Sequence, residues 1–450
     1  MPTPRASGEG WRDDKMERKY STEVTPEMAG EKVLVAGWVH ELRELGNLKF
    51  LLLRDREGVV QVTMPRKYVP EEVFAKTGAL SKESVVLVEG KVQAEKRAPN
   101  GYEIIPERLE VLGQAATPLP MDPTGKVEAN LDTRLDARVM DLRRREIGSI
   151  FRIRSVALQA AREHLRSLGF LEVHTPRIIS TSSEGGTELF PVAYFEKEAF
   201  LAQSPQLYKQ MLMATGFDRV YEVATYFRAE EHDTIWHLNE ITAIDGEVAF
   251  IRDEEDVLRV IEGLIAAMIR GIKAGCMPQL ETLKVELEEP EVPFPRVRYA
   301  EALEMLEAEG MRYPRGEDLN TEAEKALGGI MGRKGHPLYF VTKYPLRVKP
   351  FYTMPSGDAE YSNSFDLEFR GREIISGSQR IHQYDLLVER IKAKGLNPMN
   401  FGSYLMAFKY GMPPHGGFGM GIERFLMLLL QLPNIREAVL FPRDRRRLTP

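Results

Sequence analysis

Two arginines in this 450-residue chain stand where a guanidinium could hold an anion. Arg228 lies in Phe227-Arg228-Ala229-Glu230, after the strand-like run Arg219 to Val223 and before a polar loop, Glu231 to Trp236. A guanidinium fork at a hairpin end can clamp a phosphate through two parallel hydrogen bonds. On this segment alone, a solvated hairpin tip with a surface ion pair is the better reading. Arg424 follows Gly416-Gly417-Phe418-Gly419-Met420-Gly421, which reads as the opening of an apolar helix. Small residues there permit close backbone approach, and the arginine could stack on an aromatic base. A helix-packing glycine stretch explains the segment equally well. Gly328 to Gly335 imitates a P-loop, but Gly follows Lys334 where Ser or Thr is required, and no dinucleotide-binding order surrounds the later glycines. The carboxylates Asp366 and Glu373 near Ser376 read, by themselves, as a solvated strand face.

The elements that must position these groups fall into two regions. Lys32 to His40 reads as a strand interrupted by Gly37, and Leu48–Leu53, Val59–Met64, Ser84–Gly90 and Tyr102–Ile105 follow with turns between them. That rhythm predicts a small antiparallel β-barrel. Ala115 to Lys126, with Pro118, Pro120 and Pro123, reads as a stiff linker. Beyond it, helical spacing over Ser149–Leu168 and Asp253–Lys273 alternates with strand-like runs at Ile241–Val248, Tyr361–Phe369 and Arg372–Ile375. An antiparallel sheet with helices packed against it, an α+β arrangement, suits that pattern. The expected division is a polar N-terminal extension over 1–30, a barrel over 31–113, a linker or hinge over 114–132, and a larger domain over 133–450.

Composition narrows the classes. The net charge of −6 speaks against a surface coated in basic groups, though not against a local basic groove. A single cysteine, Cys276, excludes a disulfide framework and any multi-cysteine zinc site. Met1 to Tyr20 contains no apolar run and Phe425–Leu430 is too short to span a bilayer, so a soluble protein of a reducing compartment, the cytoplasm, is expected.

Taken together, Phe227-Arg228-Ala229-Glu230, Gly419 to Arg424, and the helix running into Gly169-Phe170-Leu171-Glu172-Val173-His174-Thr175-Pro176 resemble motifs 2, 3 and 1 of class II aminoacyl-tRNA synthetases, in the family's chain order. With a leading barrel, the chain is similar to the aspartyl/asparaginyl/lysyl subgroup, and within it to aspartyl enzymes of archaeal type. The resemblance implies an N-terminal OB-fold that binds the anticodon and a class II catalytic domain that is homodimeric through motif 1.

It also implies roles. Arg228 would contact the α-phosphate of ATP and Arg424 would cover the adenine, with Glu230, His237, Asp366 and Gly421 in the same pocket. Ile241 stands where the family usually has Phe as a second adenine wall. Glu373 and Ser376 match ligands of Mg²⁺. Gln203-Ser204-Pro205-Gln206-Leu207-Tyr208-Lys209-Gln210 resembles the aspartyl enzymes' segment, so Arg380 would hold the side-chain carboxylate of L-aspartate with Lys209 beside it. Asparagine would leave Lys209 unpaired. Gln206 and Asp245 would take the α-amino group, Ser376 would border the aspartate, and Glu184, in Ser183-Glu184-Gly185-Gly186-Thr187, belongs to a loop that closes over it. In the barrel, Phe50 and Gln61 match a stacking and reading pair for the central anticodon base, and Arg43 a basic contact. His40 and Pro99 match the subtype that charges both tRNA(Asp) and tRNA(Asn), which implies a partner amidotransferase.

Competing readings are a strict tRNA(Asp) enzyme, an asparaginyl-tRNA synthetase, a tRNA-independent asparagine-forming paralogue, and a catalytically decayed RNA-binding module. Lys209 and Gln210 oppose the asparaginyl reading. The barrel opposes the paralogue, and intact Arg228, Glu373, Ser376, Arg380 and Arg424 oppose decay.

Overall fold

The computed structural model describes residues 16–180, 188–357 and 359–450. The chain divides into two compact units, Met1–Glu128 and Ala129–Pro450.

The first unit is a closed five-stranded barrel of β1 (Lys32–Leu45), β2 (Leu48–Arg54), β3 (Val59–Pro65), β4 (Val85–Ala94) and β5 (Tyr102–Gly113), in the order β1-β2-β3-β5-β4. Alternation is most regular in β2. In β2 the even positions 48, 50, 52 and 54 are half-buried, while Lys49, Leu51 and Leu53 are buried. Gly37 does not interrupt β1: it lets β2 approach, since a Cβ there would lie 2.1 Å from Arg54 O. A short helix, Glu71–Gly78, joins β3 to β4, and its apolar Val73 and Phe74 join the barrel core. The described part of the N-terminal arm is docked. Lys19 N donates to Leu34 O at 2.8 Å, and Asp55 accepts from Ser21.

The second unit is organised on an eight-stranded sheet. In chain order its strands are β6 (Leu171–Glu172), β10 (Arg219–Phe227), β11 (Glu240–Ala249), β12 (Arg296–Arg298), β13 (Leu338–Thr342), β14 (Ser364–Phe369), β15 (Glu373–Gln379) and β16 (His415–Gly421). Across the sheet they run β12-β13-β14-β15-β16-β11-β10-β6, mostly antiparallel. Between β6 and β10 the short strands β7 (Ile178–Ile179), β8 (Pro191–Tyr194) and β9 (Lys197–Leu201) form a separate small sheet. Helices Arg145–Ser167 and Glu254–Gly275 cover one face of the large sheet. Ile150, Ile153, Ala157, Ile261 and Ile265 pack there with Ile244, Phe365, Leu367, Ile375, Phe418 and Met420. The first of these helices starts at Arg145, ahead of the expected Gly148 boundary.

The glycine-rich stretch is a strand rather than a helix opening. Gly417, Gly419 and Gly421 recur at period two on one face of β16, and Phe418 and Met420 enter the core on the other. The apolar helix begins only at Ile422. The P-loop look-alike lies largely within helix Thr321–Arg333, where Gly328 passes close to the β14–β15 turn: a Cβ on it would meet Gly371 Cα at 2.3 Å.

Candidate active site

Antiparallel register lines up the site. One row of cross-strand neighbours runs Asp366, Ser376, Gly419, Asp245, Glu222 over β14, β15, β16, β11 and β10. The row two residues along runs Ser364, Ser378, Gly417, Glu247. Because side chains alternate, both rows share the face opposite the helices. The β16 glycines make room for the carboxylates beside them. A Cβ at 417 would sit 2.0 Å from Glu247 Oε2, and one at 419 would sit 3.1 Å from Asp245 Oδ1.

Above these rows opens a cleft of about 470 Å³. Arg228, Glu230, His237, Glu373, Gly421 and Arg424 line one end. Gln206, Asp245, Ser376 and Arg380 line it as well, toward the buried cluster around Glu247. Ten of the residues singled out in the sequence therefore share one cavity. Lys209 lies just behind it, touching Asp245, and Asp366 is the cross-strand neighbour of Ser376. Glu184 lies outside the described residues.

The amino-acid end is a balanced ion cluster. Lys209 Nζ donates to Asp245 Oδ1 at 2.9 Å and to Phe418 O at 2.8 Å, with Glu247 Oε2 at 3.6 Å. Arg380 donates from Nε to Glu247 Oε1 at 3.0 Å and from Nη1 to Ser378 Oγ at 2.8 Å. Burial pushes the Asp245 carboxyl above its usual range despite Lys209. At Glu247 burial acts the same way, but Arg380, Lys209 and His415 outweigh it and hold the carboxyl low. This corrects one expectation. Lys209 is not a lone cation that asparagine would leave unpaired, because Asp245 and Glu247 already pair it. Asp245, expected to meet an α-amino group, is likewise engaged. Glu247 escaped the sequence reading, although its spacing from Asp245 on a strand puts both on one face.

The nucleotide end is looser. Arg228 is half-exposed, with Glu230 3.7 Å away. Its backbone is fixed instead: Asn239 Nδ2 donates to Arg228 O at 2.7 Å and to Glu230 O at 3.0 Å. His237 Nδ1 lies 2.6 Å from Thr234 Oγ1, and burial pushes the ring pKa below its ordinary value. The loop before it is tied to the C-terminal segment by Arg436–Asp233 at 2.9 Å, and just after it Asn239 N donates to Arg443 O at 2.9 Å. Arg424 donates to Glu373 O at 3.0 Å. Trp236, Ile241 and Ile435 supply apolar wall in the same cleft.

Carboxylates gather here without enough cations. Removal from bulk water and the neighbouring Asp366 push Glu373 up to about 7. Burial, with Glu324 and Glu373 nearby, drives Glu368 well above the carboxylate range. Asp366 Oδ1 and Glu368 Oε2 are buried, and neither has a hydrogen-bond partner among the described residues. Lys349, a cation the sequence reading did not single out, donates to Asp366 Oδ2 at 2.8 Å. Burial alone would lower its pKa, but Asp366 and Asp318 outweigh that and raise it. Among the described residues no three acidic, histidine or cysteine groups converge to hold a metal by themselves.

In the barrel, Arg43 stands opposite Phe50 across β1 and β2, Phe50 opposite Thr63, and Leu52 opposite Gln61. Phe50 is half-buried on the outer face, not in the core. Gln61 Nε2 donates to Glu103 Oε2 at 3.1 Å, which fixes its amide. His40 is the extra residue of a bulge in β1, its Nδ1 3.0 Å from Arg54 Nη1, while Pro99 sits on the exposed turn between β4 and β5.

Comparison with known proteins adds the family. A family model described as tRNA synthetases class II (D, K and N) matches residues 130–445, and one described as an OB-fold nucleic acid binding domain matches 33–112. The chain is 56% identical over 431 residues to an aspartate–tRNA(Asp/Asn) ligase of Methanopyrus kandleri, covering 96% of this chain and 99% of the relative. It is 57% identical over 433 residues to an aspartate–tRNA(Asp) ligase of Thermococcus kodakarensis, with the same coverage. Among solved structures it resembles the asparaginyl-tRNA synthetase of Pyrococcus horikoshii complexed with asparaginyl-adenylate, with a TM-score of 0.91 and 36% identity over 96% of this chain and 100% of that one. An aspartyl-tRNA synthetase from Entamoeba histolytica aligns with a TM-score of 0.88 and 32% identity, over 100% of this chain and 96% of that one.

Proposed function

The chain belongs to the class II aminoacyl-tRNA synthetases of the aspartate, lysine and asparagine group, and from that premise we propose that it activates L-aspartate with ATP and transfers it to tRNA(Asp) and tRNA(Asn). The observation that carries the amino-acid choice is the 56–57% identity, over nearly the full length, to relatives named as aspartate–tRNA ligases; Arg380 lines one end of a cleft whose other end offers Arg228 and Arg424.

In the first step the α-carboxylate of aspartate attacks the α-phosphorus of ATP and pyrophosphate leaves. The protein supplies no nucleophile. It holds two anions in line and stabilises the charge that builds on the phosphate. Arg228, on a hairpin end pinned by Asn239, is placed to take that charge. Arg424 and the apolar wall of Trp236 and Ile241 sandwich the adenine, with Glu230, His237 and the Gly421 backbone bordering it. Arg380 receives the side-chain carboxylate, Lys209 holds Asp245 from behind the cleft, and Gln206 and Asp245 take the α-ammonium group. In the second step the terminal ribose hydroxyl of tRNA displaces AMP.

The uncompensated carboxylates fit a divalent cation. Glu373 and Ser376 would hold Mg²⁺ with Asp366 behind them, leaving remaining positions to phosphate and water. Held there, the ion would supply positive charge for the departing pyrophosphate.

On the barrel, Phe50 offers a stacking face, Gln61 a fixed amide and Arg43 a cation for the anticodon. His40 and Pro99 favour acceptance of both tRNAs; relatives named for one and for two tRNAs are equally similar, so overall identity does not choose between them. Charging of tRNA(Asn) would require an amidotransferase to convert the product. A homodimer, with the exposed apolar Leu171 and Ile178 near the motif 1 strand at its interface, and a cytoplasmic location complete the reading. No described helix is long and apolar enough to cross a membrane.

The test is attachment of ³H-aspartate to purified tRNA(Asp) and tRNA(Asn) transcripts with ATP and Mg²⁺. Charging of both is expected. Charging of tRNA(Asp) alone would remove the relaxed specificity and keep the ligase, and charging of neither would remove the ligase.

A further inference from the structure

Behind the amino-acid end lies a line of buried polar side chains that none of the roles above uses. His415 and Gln210 are fully buried and Tyr404 nearly so. The direction of each hydrogen bond along the line follows from one end. Pro413 O can only accept, so His415 Nδ1, 2.9 Å away, must donate. A neutral imidazole has one N–H, which leaves His415 Nε2 as an acceptor. Burial keeps the ring neutral, pushing its pKa down to about 4. Gln210 Nε2, at 3.1 Å from His415 Nε2, must then be the donor. That turns Gln210 Oε1 the other way, where it accepts from Gln206 Nε2 at 2.9 Å and from the Tyr404 hydroxyl at 3.2 Å. Gln206 lines the cleft, and the amide atom left beside Arg380 Nη2, at 3.4 Å, is its carbonyl oxygen. With either amide reversed, two donors or two acceptors would face each other in a buried site, which is costly.

We propose that His415 is a positioning residue for substrate recognition: through Gln210 it locks the Gln206 amide so that its oxygen accepts from the α-ammonium group, selecting an α-amino dicarboxylate over the same skeleton without the amine. This rests on the aspartate reading of the cleft. The backbone carbonyl of Pro413 is the origin of the polarity, and the histidine transmits it through Gln210 to a side chain that touches the ligand.

The test uses the full-length protein in ATP–pyrophosphate exchange, with aspartate as substrate and succinate, which lacks the amine, as competitive inhibitor. In His415→Leu the KM for aspartate should rise on the order of 10- to 100-fold, the worth of a charge-assisted hydrogen bond. The KM for ATP and the inhibition constant of succinate should move by less than about threefold, because neither ligand meets that hydrogen bond. His415→Gln can place an oxygen acceptor where Nε2 stands and should recover most of the aspartate KM. Gln210→Leu cuts the same line at its next member, and it should show the same pattern of KM and inhibition changes even where His415→Leu does not fold. Equal losses for aspartate and succinate, or an unchanged aspartate KM in both leucine variants, would overturn the proposal while wild-type exchange stays intact. Absence of aspartate-dependent exchange in the wild type would instead overturn the aspartate reading, and the relay's assigned ligand with it.

Discussion

At the amino-acid end of the cleft, Lys209 and Arg380 meet Asp245 and Glu247, two cations against two anions, and all four side chains are more than nine-tenths buried. At the nucleotide end, Arg228 and Arg424 leave 46% and 35% of their side chains exposed, and among the described residues their carboxylate partners stand at 3.7 and 3.9 Å. Beside them Glu373, Glu368 and Asp366 crowd together with an excess of negative charge. The first region is complete before a ligand arrives, so it can discriminate by geometry at small reorganisation cost. The second is balanced only when phosphates meet the arginines and a cation meets the carboxylates. Charge is thus preorganised where selectivity between similar amino acids is needed, and left open where a highly charged ligand brings its own counter-charges.

The largest effect should come from breaking the closed end. Gly417→Ala drives a methyl group into Glu247 and separates it from Arg380, so aspartate-dependent exchange should fall at least about 1,000-fold. The melting temperature should fall with it, since disrupting a buried ion pair costs about 3–5 kcal/mol. A variant with normal melting and normal exchange would mean that the cluster is not a rigid unit.

Arg228→Ala should separate function from stability. Exchange should drop about 100- to 1,000-fold in kcat, as for removal of one donor to a developing oxyanion. The melting temperature should stay within about 1 °C, because an exposed pair contributes little. A comparable fall in melting would make the nucleotide end as preorganised as the other.

pH tests the surplus of negative charge. A carboxyl whose folded pKa is about 7 against an ordinary 4.5 binds more protons folded than unfolded between those values. Its contribution to stability therefore increases as pH falls from about 7 to 4.5 and is lost as pH rises back through about 7. Thermal melts across that window without Mg²⁺ should show this slope. Glu373→Gln should flatten it, and Mg²⁺ with ATP should reduce it in the wild type. A slope unchanged by Glu373→Gln would assign the surplus charge elsewhere.

The smallest effect on the fold belongs to Gly421→Ala, since a Cβ there meets nothing within 4 Å and the backbone angles suit any residue. Melting should be unchanged. The KM for ATP should rise by about three- to tenfold if the methyl group intrudes on a bound base, a loss on the order of 1 kcal/mol. Unchanged ATP kinetics would place the base away from this strand.

Much of this arrangement was legible before any fold was known. Arg228, Arg424, Glu373, Ser376, Gln206, Asp245 and Arg380 could be named through the resemblance of short segments to a family's motifs, not from the segments alone, and all line the cleft. The barrel could be read from alternating runs and turns. What was misread has local reasons. Gly416–Gly421 resembles a helix entry because glycine carries no hydrophobic signature; its period-two spacing against Phe418 and Met420 is the local sign of a strand. Lys349 gave no local sign at all: it lies in an ordinary Lys-Pro-Phe segment and matters only because the chain folds it against Asp366. The polarity relay from Pro413 to Gln206 is equally silent in the sequence, since its members come from residues 206, 210, 404, 413 and 415.

The sequence by itself determined which chemical groups are present, the alternation that makes the barrel and sheet, and the family to which they belong. The first two follow from side-chain type and from short-range periodicity, both local properties, and the family from the resemblance of three motifs in their chain order. Which of the cations would be paired was decided only by the tertiary structure. Strand register is a nonlocal property: it set Asp245 and Glu247 beside glycines on one neighbour, brought Lys209 in from a helix and Arg380 in from the end of β15, and so turned four separate charges into one neutral, buried cluster.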